Sequence, residues 1–136
     1  MIRKDFLLAE IQKLAQILAK VLNLKNQGNV DEALQISHET LRDNFGIDTE
    51  TLQKSSVSQF EEELRKKDFP PEKLDLLAQF LFESVYPFDT MPQTHSVLHK
   101  VLTIYNILEK EHHTLSMENY SRRTIIDNYL NTNQYE

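Results

Sequence analysis

The chain has 136 residues, 40% of them apolar, with seven Phe, five Tyr and neither Trp nor Cys. That length fits one domain with a core of its own, and the missing cysteines exclude disulfides, thiolate zinc sites, iron–sulfur clusters and Cys nucleophiles. A formal net charge of −6 argues against binding nucleic acid or an acidic membrane through the overall field, and two glycines leave no glycine-rich phosphate loop.

The opening stretch starts like a signal peptide, with Arg3 and Lys4. Glu10 and Lys13 then interrupt the apolar run and no small-residue cleavage site follows. No apolar run is long enough to span a bilayer, so the expectation is a cytoplasmic protein.

From Ile2 to Lys25 the apolar residues Leu7, Ile11, Leu14, Leu18 and Val21 step by four and three, which predicts a helix. Leu8, Ala15 and Leu22 form a second apolar row beside the first, more than one partner helix covers. Gly28 suits a left-handed cap, and a second helix is expected over Val30–Phe45, with Asn29 as N-cap and Gly46 as its end. A turn this short makes the two helices an antiparallel hairpin. Two short helices are expected next, Thr49–Gln53 and Ser58–Lys67, the latter opened by a Ser58/Glu61 capping box. Glu61/Arg65, Glu62/Lys66 and Glu63/Lys67 stand at i,i+4 on a solvated face.

Pro70-Pro71 breaks the chain, and Pro71 starts a helix whose inner stripe is Leu74, Leu77, Ala78, Leu81 and Val85. The connector Tyr86–Pro92 precedes a helix from Gln93 to Glu111. A last helix is expected over Met117–Asn131, capped by Ser116, with a frayed tail beyond it. The whole is all-α and a single domain: a hairpin over about 3–45, bridging helices over about 48–67, and a second hairpin plus terminal helix over about 71–131.

A shift of 60 lays Leu14, Ile17, Leu18, Val21 and Leu22 on Leu74, Leu77, Ala78, Leu81 and Phe82. A shift of 64 lays Ala33, Leu34, Ser37 and Leu41 on Val97, Leu98, Val101 and Tyr105. The stretch Gly28-Asn29-Val30-Asp31-Glu32-Ala33-Leu34 resembles the turn and second-helix start of a tetratricopeptide repeat. The register departs from that motif at Val21, where a small residue is usual, and at Ser37 and Thr40. The opening Met1–Phe6, the Glu32-Ala33-Leu34 turn and the Asn44–Asp48 boundary also resemble an uncharacterised family of small bacterial helical proteins, itself tetratricopeptide-like. The resemblance implies antiparallel hairpins stacked in a tetratricopeptide-like right-handed array, with short bridging helices, a C-terminal capping helix and a bacterial cytosolic setting. It implies no reaction. In its register Leu18, Leu22 and Lys25 fall on the groove-facing side of the first helix and are the candidate partner-binding residues, with a homodimer through that helix as one form of partner.

The remaining chemistry is sparse. His95 and His99 have the i,i+4 spacing with which two imidazoles grip one metal ion, so a small ligand- or metal-binding helical bundle is the alternative. They sit on a polar face without a third ligand in the motif, and read as surface histidines; no metal and no cofactor is assigned. His112-His113 reads as a helix C-terminal cap. Ser37-His38-Glu39 is adjacent in sequence, whereas a catalytic triad is assembled in space. Arg122-Arg123 with Arg3-Lys4 reads as ion-pairing surface, Glu118 with Arg122 for instance. No catalytic constellation is recognisable. The reading is a non-enzymatic helical interaction module that binds a protein or peptide partner, without nucleic acid or membrane.

Overall fold

The computed structural model describes residues 2–114 and 116–134, and the side chains of residues 5–114 and 116–132. Its helices are α1 (Ile2–Asn26), α2 (Val30–Phe45), α3 (Thr49–Lys54), α4 (Val57–Lys67), α5 (Pro71–Val85), α6 (Pro92–Glu111) and α7 (Met117–Gln134), and no strand occurs among the described residues. No helix is long and apolar enough to cross a membrane among the described residues.

The helix ends follow local chemistry. Gly28 (φ 85°) turns α1 into α2, and Gly46 (φ 68°) ends α2 in the left-handed region, where a side chain is costly. Asn29 stands at the N-cap of α2 without a side-chain cap bond, its carbonyl accepting from the Ala33 amide at 3.1 Å. Asp48 caps α3 by accepting from the Thr51 amide at 3.2 Å. The capping box of α4 is formed by Ser56 and Gln59, not by the expected Ser58 and Glu61, so the helix starts at Val57. Phe60 and Leu64, one helical turn apart, are both buried. α7 continues as helix to Gln134, past the Asn131 end expected from composition.

α1 and α2 pack against each other, α5 packs on both of them and on α6, and α3, α4 and α7 pack on α6. α5 is thus the middle of the molecule, and Leu74, Leu76, Leu77, Ala78, Phe80, Leu81 and Phe82 are all buried along it. Phe45 from the end of α2 meets Phe80 at 5.8 Å and Phe69 at 6.0 Å between ring centroids, distances typical of paired aromatics. The Lys73 ammonium lies 4.5 Å from the Phe69 centroid and 2.5 Å from Glu10 Oε1, which fastens the start of α5 to α1.

One lysine of α6 holds the end of α3. Lys100 is fully buried, and its Nζ donates to the carbonyls of Leu52 (2.5 Å) and Ser55 (2.7 Å) and to Ser96 Oγ (2.7 Å). Those carbonyls end α3, so the ammonium supplies the donors that the helix end lacks.

Candidate functional site

The first apolar row of α1 is largely buried, with Leu14 and Val21 sealed and Leu18 only 7% exposed. The second row stays open: Leu8 is 57% and Leu22 38% exposed, and Ala15 between them is exposed too. On that side, from Leu8 to Asn26, the neighbours are Gln12, Gln16, Ala19 and Asn23, and no ionisable group intervenes, since Lys13 and Lys20 project from another side of the helix. α1 also outruns α2 by nine residues, about 13 Å, which leaves its N-terminal turns without that partner.

Of the three partner-binding candidates, then, Leu18 lies in the core and Leu22 on the open row. Lys25 is engaged inside the molecule. Its Nζ is 2.9 Å from Glu83 Oε1 and 2.7 Å from the Tyr86 carbonyl, and it also donates to the Glu83 carbonyl. Both side chains of the pair are 12% exposed. A cation at the last carbonyls of α5 meets the negative end of that helix and fixes the point where the connector to α6 begins.

The connector is built on aromatic contacts. Tyr86 stacks on Phe82 at 5.3 Å, Phe88 stands edge-on to both, and Phe88 meets Tyr129 of α7 at 4.9 Å. The His95 ring closes the row, 5.2 Å from Tyr129. Asp89 holds the turn: its Oδ1 accepts from the Met91 amide at 3.0 Å and from Thr94 Oγ1 at 2.5 Å. These bonds, from Thr94 first and then Met91, hold the Asp89 carboxyl below its ordinary value of 3.8. The Tyr129 hydroxyl donates to the Asp89 carbonyl, and partial burial raises the pKa of that phenol.

Beside this connector runs a groove of about 520 Å3, bounded by α2, the end of α3, the end of α5 and the start of α6. Val30, Leu34, Val85, Tyr86, Pro87 and Met91 give it apolar walls, and Gln53, Ser84, Gln93 and Thr94 give it polar edges. Val30, Tyr86 and Met91 are exposed large apolar side chains. The volume lies within the ~300–1,000 Å3 range of ligand sites, and apolar walls with a few polar groups are the usual lining of one. His38 also lines the groove, and desolvation lowers its pKa from 6.5, which favours the neutral ring.

A second cavity of about 570 Å3 lies between the α2–α3 corner and α4, edged by Asp48, Glu62, Glu63 and Lys67. Its polar groups are partly used: Asp48 caps α3, and Lys67 reaches the Gly46 carbonyl at 3.4 Å.

The histidine candidates do not converge. His95 faces Tyr129 and His99 is exposed, and no three His, Cys, Asp or Glu side chains form a group that could hold a metal ion among the described residues. His112 stands at the C-cap of α6 and His113 follows with φ 54°. Ser37 Oγ, buried, donates to the Ala33 carbonyl at 3.0 Å on its own helix. Arg122 donates to Asn119 Oδ1 at 3.1 Å and not to the expected Glu118, while Arg123 reaches Glu109 (3.0 Å) and Asn106 (2.7 Å). Asn119 in turn donates to Asp75 at 2.5 Å, which ties α7 to α5. The Arg3 and Lys4 side chains lie outside the described residues.

Sequence reasoning missed the groove. Its one local signal is the composition of Tyr86-Pro87-Phe88-Asp89-Thr90-Met91-Pro92, in which two aromatics and a Met occupy a proline-bracketed connector, a place where polar residues are the rule. No family model matches the chain, and neither does any curated protein or solved structure.

Proposed function

We propose that this chain is a non-enzymatic helical interaction module that binds a protein or peptide segment in the groove between α2 and the α5–α6 connector. The observation that carries the reading is the connector itself: Asp89, Lys25 and the aromatic row hold it in one conformation while Val30, Tyr86 and Met91 stay open on the groove side. Apolar side chains held rigidly at a concave surface lose little conformational entropy on binding.

The tetratricopeptide-like arrangement belongs to the same reading. It is supported by α5 packing on both helices of the first hairpin and pairing with α6, the neighbour pattern of hairpins stacked side by side. A bacterial, cytoplasmic setting comes with it through the resemblance.

A display selection of random peptides on the wild-type chain, counter-selected on the Val30→Glu/Met91→Glu double variant, tests the reading. Recovery of a shared peptide pattern that the double variant fails to bind is the expected result. Peptides that bind both chains equally, or no enrichment, would contradict it.

The open row of α1 favours a second reading, self-association through Leu8, Ala15 and Leu22. A face with no charge meets its own copy without like-charge repulsion.

A further inference from the structure

Among the described residues that line the groove, Asp89 carries the one charged side chain, apart from a titratable His38. The hydrogen bonds that it accepts from Thr94 and Met91 both fall on Oδ1, and no other described residue donates to Oδ2. No Lys or Arg among the described residues lines the groove to neutralise it. Lys25, whose ammonium sits behind at the Tyr86 carbonyl, is already paired with Glu83. On the other flank the His95 ring packs against Tyr129, and a charge on it also acts on the Asp89 carboxyl.

We infer that the segment bound in this groove carries a lysine or arginine between apolar residues, its basic group meeting Asp89 Oδ2 while its apolar neighbours seat against Val30, Leu34 and Met91. The inference rests on the proposed reading of the groove and adds the chemistry of the partner. Charge complementarity selects it. A carboxylate oxygen without a protein donor at the edge of an apolar groove rewards a cation and penalises an anion. A neutral apolar segment would fill the walls equally well but bring no cation to Asp89 Oδ2.

The test uses the full chain and three end-blocked tripeptides, Leu-Lys-Leu, Leu-norleucine-Leu and Leu-Glu-Leu, followed by amide shifts in 1H–15N spectra. The lysine peptide is expected to shift amides of residues 30–38 and 84–94 and to bind about fivefold tighter than the norleucine peptide, the scale of one exposed ion pair. That preference should fall away in about 1 M NaCl. Asp89→Asn retains an acceptor for the Met91 amide and Thr94 hydroxyl. It is expected to bring the lysine peptide to the norleucine level. If the variant fails to fold, the salt dependence on the wild type decides in its place.

Equal binding of the lysine and norleucine peptides in the groove would overturn this inference and leave the groove reading intact. Tighter binding of the glutamate peptide would overturn it likewise. No shift of groove amides by any of the three at millimolar concentration would overturn it together with the reading on which it rests.

Discussion

Lys25 and Glu83, 58 positions apart in sequence, meet at 2.9 Å where the end of α1 touches the end of α5. The same ammonium reaches the Tyr86 carbonyl, so one side chain joins the first hairpin to the start of the connector. Lys25→Ala removes the cation and leaves a largely buried Glu83 without it. The loss should be about 2 kcal/mol, between the values of exposed and fully buried pairs. Urea unfolding checks it, and the midpoint should fall with an unchanged slope.

Lys100 has a comparable role at the other side of the molecule. Replacing it by Met keeps the volume but removes the ammonium from the Ser55 carbonyl and leaves the Leu52 carbonyl with the Ser55 hydroxyl alone. The expected cost is about 2 kcal/mol. Hydrogen exchange should report loss of protection over Thr49–Lys54 first, with α5 unaffected until global unfolding.

Asp89 makes the connector sensitive to acid. Its folded carboxyl titrates below the ordinary 3.8, so between the folded value and 3.8 the unfolded chain binds more protons than the folded one. Stability from this group is therefore present above 3.8 and is lost as pH falls through the folded value. Asp89→Asn cannot titrate, and the gap in urea midpoint between wild type and variant should narrow as pH is lowered from 5 towards 3 (about the range set by an ordinary carboxyl). A gap that stays constant would detach the Asp89 charge from the turn.

The two apolar rows of α1 were legible because both depend only on position along one helix, and the structure separates them into a buried and an open row. The same holds for α5, whose apolar positions recur on nearly every side, as a central helix requires. What was not legible depended on distant partners. Lys100 shares the inner side of α6 with Val97 and Ile104, and no local signal names the α3 carbonyls that its ammonium meets there. The groove draws Val30 and Leu34 from α2, Gln53 from α3 and Tyr86 to Thr94 from the connector, and no spacing rule joins them. At α4 the expected Ser58/Glu61 box gives way to Ser56/Gln59, which opens the helix at Val57.

Leu8→Glu with Leu22→Glu tests the open row without entering the core, since both side chains are exposed. The row from Leu8 to Leu22 is about 21 Å long, a short contact, so self-association through it should be weak and concentration-dependent. Light scattering should give a wild-type mass that rises with concentration and a double variant that stays monomeric with full helicity. A wild type that remains monomeric throughout would remove the second reading.

The most direct test of the groove is shift mapping of the wild-type chain with a peptide recovered by display selection. The account predicts that amide shifts concentrate in residues 30–38 and 84–94 while the exposed row of α1 stays unmoved. Shifts centred on Leu8, Ala15 and Leu22, with the connector unmoved, would contradict it and transfer the binding surface to α1.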